Sequence, residues 1–160
     1  MILAFLFLMQ MSHQDHAMGF SQSVSKHTFR LYPDGGAIEV RSDDAETVGM
    51  IRHHLQTIAK QFADGNFATP MDVHDRLPDG AAAMKDLRAD IDYTYAEIEK
   101  GGRVRITTKN PRALDAIHQF LRFQIREHKT GDTESILRDA DHGEHCDHEP
   151  TMAGDQSSQL

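Results

Sequence analysis

The chain repeats itself. Setting Gly35-Gly36 against Gly101-Gly102 places two stretches 66 residues apart (101 − 35), and their neighbours fall into register. Ile38 and Val40 meet Val104 and Ile106, while Val48, Ile51 and Leu55 meet Leu114, Ile117 and Leu121. Upstream, Phe29 meets Tyr95. A period of this kind means a duplicated supersecondary unit, and it constrains the fold before any single element is considered.

Each copy reads as strand, strand, helix. Residues 27–33 and 37–42 alternate apolar and polar, with Phe29, Leu31, Ile38 and Val40 on one face, as half-buried strands require. Asp34-Gly35-Gly36 and Lys100-Gly101-Gly102 supply hairpin turns. In the second copy Ile91, Tyr93 and Tyr95 share a face and Val104 and Ile106 return. The period then switches to 3.6. Val48, Ile51, Leu55, Ile58 and Phe62 form one helical stripe, and Leu114, Ile117, Leu121 and Ile125 the other. Asp43 or Asp44 caps the first helix, and Asn110 followed by Pro111 opens the second. Gly65 and Gly131 end them. The expected fold class is α/β in the α+β sense: a four-stranded antiparallel sheet with two helices on one face.

The predicted organisation is one duplicated ββα domain over 18–131, with repeats at 27–65 and 91–131 joined by a connector at 66–90. The connector contains Pro70, Pro78 and Gly80, then a short helix through residues 81–87. Flanking it are an apolar, signal-like start with a His/Met segment (1–17) and an acidic His/Cys-bearing tail (132–160), expected to be largely disordered. The first nine residues are all apolar. As a helix they span about 14 Å, too short for a hydrocarbon core of about 30 Å, so no stable transmembrane span is expected. Their length fits the apolar core of a secretory signal, although no basic residue precedes it and no small-x-small site follows. The expectation is a periplasmic or exported protein. If the segment is instead an uncleaved anchor or packing element, the chain is cytoplasmic.

Lys and Arg total 17 against 25 Asp and Glu, a formal net charge of −8, which argues against nucleic acid as a partner. The open face of the sheet would carry Arg30, Tyr32, Arg41, Thr94, Arg103, Arg105 and Thr107. That face suits an anion, a partner or plain solvent. Phe120 and Phe123 lie off the main stripe of the second helix and would widen its apolar surface, so a homodimer is a further expectation.

The inventory leans toward metal. There are eleven His and eight Met, and the single Cys146 cannot form an internal disulfide. Residues 141–149 hold His142, His145, Cys146 and His148 among four carboxylates, a segment able to wrap zinc, copper or nickel. Met9, Met11, His13, His16 and Met18 repeat the theme, with thioethers suited to Cu(I) and imidazoles to Cu(II). Within the domain, His54 lies beside Leu55 and His118 beside Ile117, so the two could approach each other under a connector bearing His74 and Met84. His128 is a further candidate. A lone histidine at a helix–core boundary is more often a structural residue satisfied by hydrogen bonds. Catalytic signatures are lacking: the chain has no Gly-x-Ser-x-Gly elbow, no phosphate loop and no dinucleotide fingerprint.

Several segments together resemble a group of small, mostly exported bacterial proteins, over about residues 18–132. They are Met18-Gly19-Phe20-Ser21-Gln22, Lys26-His27-Thr28-Phe29, Asp34-Gly35-Gly36-Ala37-Ile38, Ile51-Arg52-His53-His54-Leu55, residues 70–75 and residues 116–124. Some members sit among metal-resistance genes, so the resemblance implies export and a metal connection, and His54, His74, Met84 and His118 match its pattern. Other members are labelled aspartate carbamoyltransferase. This chain lacks the Ser-x-x-Thr-Arg loop and the His-Pro-x-Gln segment that carbamoyl phosphate binding needs, and it is roughly half the required length.

The leading expectation is therefore a metal-binding accessory protein, copper ahead of zinc, for storage, delivery or sequestration. Its ligand candidates are His54, His74, Met84 and His118 in the domain and His142, His145, Cys146 and His148 in the tail. A non-catalytic dimerising interaction module is the alternative, and a carbamoyltransferase-type enzyme the third.

Overall fold

The computed structural model describes residues 19–138. Four strands form one antiparallel sheet: β1 (Lys26–Tyr32), β2 (Gly35–Arg41), β3 (Ile91–Ile98) and β4 (Gly101–Thr108), in the order β1-β2-β4-β3. The long helices α1 (Ala45–Ala63) and α4 (Pro111–His128) pack on one face, and the short helices α2 (Ala68–His74) and α3 (Ala81–Asp86) belong to the connector. The architecture is the expected α+β fold, each half a hairpin followed by a helix. None of the described helices is long and apolar enough to cross a membrane.

The helix starts follow from local chemistry. The Asp44 carboxylate accepts from the Thr47 backbone N–H at 2.8 Å and from the Thr47 hydroxyl at 2.6 Å. At the equivalent position Asn110 accepts from the N–H groups of Arg112 and Ala113, ahead of Pro111. Asp43 is instead occupied with Lys100, 2.7 Å away. α4 ends on Lys129 in the left-handed conformation (φ 52°), two residues before the expected Gly131.

The glycine pairs do more than turn the chain. Strands β2 and β4 begin at Gly35 and Gly101, and they pair with each other in the middle of the sheet so that Ile38 faces Val104, its own counterpart. The two halves are thus related by an approximate twofold through this pair. A Cβ on Gly35 would lie 2.0 Å from the Ile106 carbonyl oxygen, and one on Gly101 would lie 1.9 Å from that of Val40. Ile106 and Val40 are themselves equivalent positions. The second glycines carry the helices: a Cβ on Gly36 would meet Leu121 at 2.1 Å, and one on Gly102 would meet Leu55 at 3.0 Å. Each helix therefore packs on the hairpin of the other half, α1 over β3 and β4, α4 over β1 and β2.

The core lies between sheet and helices, built on Leu31, Val40, Ile51, Leu55, Phe62, Val104, Ile106, Ile117 and Leu121. The connector covers the outer flank of α4. Phe67 packs edge-on against Phe120 with ring centres 5.8 Å apart, and the Arg76 guanidinium lies 4.4 Å over Phe123. Both α4 rings are 1 % exposed, so the apolar surface expected to serve a partner is covered within the chain. On the open sheet face Glu39 is buried between Arg41 (2.9 Å) and Arg103 (3.9 Å). Arg105 donates to the Gly36 carbonyl at 2.9 Å and lies over the Tyr32 ring. Arg41, Arg103 and Arg105 are thus engaged by neighbours on the sheet itself.

Residues 132–138, the start of the polar tail, run along the outer edge of β1. The Asp132 carboxylate accepts from Phe29 N–H at 2.9 Å and Leu137 N–H donates to the Leu31 carbonyl at 2.8 Å. This cover satisfies two backbone groups, Phe29 N–H and the Leu31 carbonyl, on an edge that would otherwise present them unpaired.

Candidate functional site

Four imidazoles from four elements converge on one cleft: His27 on β1, His54 on α1, His74 at the end of α2 and His128 at the end of α4. The His27 and His128 rings stack at 4.9 Å between centres, 19° from parallel. His74 meets His128 edge-on, also at 4.9 Å. Phe20 closes the cluster from the amino-terminal side, 5.4 Å from His54 and 6.1 Å from His27. Behind the imidazoles lies a cavity of about 60 Å³ walled by Phe29, Leu55, Phe62 and Phe120, with room for a bare ion or a few waters.

The environment keeps these rings neutral. Burial, helped by repulsion from His128 and then His54, pushes His27 from 6.5 down to about 3. Burial and His53 take His54 to about 4. Burial and His74 take His128 to about 4, against the pull of Glu127. His74 is lowered by burial as well, although its bond to Gln124 opposes this. Among the described residues, no acidic side chain lines the cavity. The nearby Glu127 carboxylate is held 3.0 Å from Arg76, and that bond keeps it ionised. At neutral pH the cleft therefore presents unprotonated ring nitrogens with no carboxylate in its lining, and Glu127 beside it is paired with Arg76.

His74 Nε2 lies 3.0 Å from Gln124 Oε1. With the proton on Nε2, that nitrogen donates to the amide oxygen and Nδ1 keeps its lone pair. Among the described residues, no group of three or more His, Cys, Asp or Glu stands ready-arranged around a point where a metal could sit. Coordination by more than two of these rings would require them to turn.

Of the residues expected from the sequence, His54 and His74 enter the cluster. Met84 is fully buried in α3 and does not line the cavity. His118 is 4 % exposed and faces the hairpin, its Nε2 lying 2.9 Å from the Tyr32 carbonyl and 3.0 Å from that of Gly35. Both partners are acceptors, so Nε2 carries the proton. The repeat explains this placement: the equivalent residue is Arg52, whose Nε donates to the Gly101 carbonyl, the counterpart of Gly35, at 3.2 Å. His118→Ala is expected to cost about 1–3 kcal/mol by stripping two buried carbonyls of their donor, read by urea denaturation, while leaving the cleft unchanged. His142, His145, Cys146 and His148 lie outside the described residues, as does the His/Met segment before Gly19.

In the sequence His27 stands out only as part of a resemblance, and His128 only as an isolated candidate. The 66-residue offset identifies both. His27 is equivalent to Tyr93, His54 to Phe120 and His128 to Phe62. In the second set Phe62 meets Tyr93 edge-on at 5.9 Å and Phe120 at 5.6 Å, an ordinary aromatic core. The fold thus fills three equivalent positions with aromatic carbon on one side of its twofold and with imidazole on the other. No protein-family model, no curated protein and no solved structure matches the chain, so the chemistry of this cleft rests on its own residues.

Proposed function

We propose that the protein is a metal-binding accessory protein, handling copper ahead of zinc, and that the four-histidine cleft is its folded binding site. The observation that carries this reading is the exchange of Phe62, Tyr93 and Phe120 for His128, His27 and His54 across the twofold. Aromatic rings satisfy the fold at these positions. An imidazole there must lose hydration from two polar nitrogens, a cost that serves packing nothing. What it supplies is a lone pair that protons do not occupy at neutral pH, and proton competition is a chief limit on imidazole affinity for metals. The apolar start and the resemblance to exported proteins found among metal-resistance genes support a role outside the cytoplasm, in storage, delivery or sequestration.

The test uses the chain's own alternative residues. His27→Tyr, His54→Phe and His128→Phe, made together in the full chain, install what the equivalent positions already carry. Alongside it, a second full-length variant replaces the tail candidates His142, His145, Cys146 and His148. The cleft variant is expected to keep its circular dichroism and to lose metal affinity by about 100-fold or more. The tail variant should retain one tightly held ion. Undiminished affinity in a folded cleft variant would overturn the assignment.

A further inference from the structure

Resting on the metal-binding reading, we infer that the cleft selects the monovalent cation Cu(I), held by two or three of its imidazoles, over divalent zinc or copper. Charge favours the monovalent ion first. The cavity lining contains no acidic residue. From α4, Glu127 faces the cluster but its carboxylate is bonded to Arg76 at 3.0 Å. From the outer edge, the Asp132 carboxylate is taken by the Phe29 N–H. Neutral ligands leave the full ionic charge inside an apolar wall, and the cost of burying an ion rises with the square of that charge. A divalent ion therefore faces about four times the penalty of a monovalent one in the same cavity. Zinc sites commonly offset it with thiolate or carboxylate ligands or with a bound hydroxide.

Coordination number points the same way. Zinc fills four positions, with three or four ligands from the protein, and no described group of three or more donors stands ready for that. Cu(I), a filled-shell ion like Zn(II) but of half its charge, is satisfied by as few as two. The His128 ring centre sits 4.9 Å from those of both His27 and His74, stacked on the first and edge-on to the second, so His128 is the member common to either pair. The cavity of about 60 Å³ has room for a bare ion and a few waters beside the imidazoles.

The decisive experiment is anaerobic competition of the full natural chain and the full-length His27→Tyr, His54→Phe, His128→Phe variant against bathocuproine disulfonate for Cu(I) and against a chromogenic chelator for Zn(II). The difference between the two chains isolates the cleft from the tails. The expected result is a loss of about 100-fold or more for Cu(I) with less than about threefold for Zn(II). An equal or larger loss for Zn(II) would overturn the selectivity while the metal-binding reading stood. No loss for either ion in a folded variant would overturn both. Copper K-edge absorption of the full-length tail variant, with His142, His145, Cys146 and His148 replaced, at one equivalent of Cu(I) gives an answer that does not depend on the cleft variant folding. A shell of two or three nitrogens supports the inference, and a shell dominated by sulfur refutes it.

Discussion

Acidifying the metal-free protein from pH 7 to pH 4 is expected to remove most or all of its stability. His27, His54 and His128 titrate at about 3, 4 and 4 in the folded chain, against 6.5 for an exposed histidine. The unfolded chain takes up these protons as pH falls through 6.5, whereas the folded chain refuses them until about 4 and below. Their contribution is therefore complete above about pH 6.5, declines as pH falls, and levels off once the folded groups themselves protonate near pH 3. One pKa unit corresponds to about 1.4 kcal/mol, so His54 alone amounts to about 3 kcal/mol at full extent. Three such groups are comparable with the ~5–15 kcal/mol that holds an ordinary domain together. Thermal melts followed by circular dichroism at pH 7, 5.5 and 4 should show the midpoint falling steeply. The triple variant His27→Tyr, His54→Phe, His128→Phe should be far less sensitive. Matching melts for the natural chain at pH 7 and pH 4 would mean that the rings are hydrated and the cleft is open to water.

Gly101→Ala is expected to cost about 3 kcal/mol or more, far beyond a typical glycine-to-alanine change in a strand. Its Cβ would fall 1.9 Å from the Val40 carbonyl oxygen, a backbone atom of the neighbouring central strand that cannot swing aside. Relief requires β2 and β4 to part, and they are the seam where the two halves join. Gly49→Ala is the control. It lies inside α1 with nothing within 4 Å of the added carbon, so the same change there should stabilise by up to about 1 kcal/mol. Urea denaturation of the two variants beside the natural chain reads the difference. A Gly101→Ala chain as stable as the natural one would show that the strands tolerate a wider spacing than described.

The two effects have one source, the twofold. It brings equivalent glycines against equivalent carbonyls at the seam, and it also creates two equivalent sets of three ring positions, of which only one set is filled with carbon. A domain built this way can turn one of its duplicated core sites over to chemistry while the other continues to support the fold.

Everything that follows from local period was legible in the residues. Alternation at two placed Phe29, Leu31, Ile38 and Val40 toward the core, and the 3.6-residue stripe did the same for Ile51, Leu55, Ile117 and Leu121. Asp44 and Asn110 were readable as caps because capping is a contact within one turn of helix. The offset of 66 residues then dictated the α+β class. Which helix lies on which hairpin was settled only in three dimensions. Periodicity defines a buried face but not the surface that buries it, and the exchange of helices between halves is what carries His128 to His27 at one end of the β1–β2 hairpin and His118 to its turn at the other. His74 was named from the sequence, but the path that brings it to His128 was beyond local reasoning for another reason: the connector has no counterpart in the repeat, so its course depends on the flank of α4 that it covers. The glycine pairs looked like turns because turn chemistry is local, whereas a carbonyl 1.9 Å from an absent Cβ belongs to a strand more than fifty residues away in the chain.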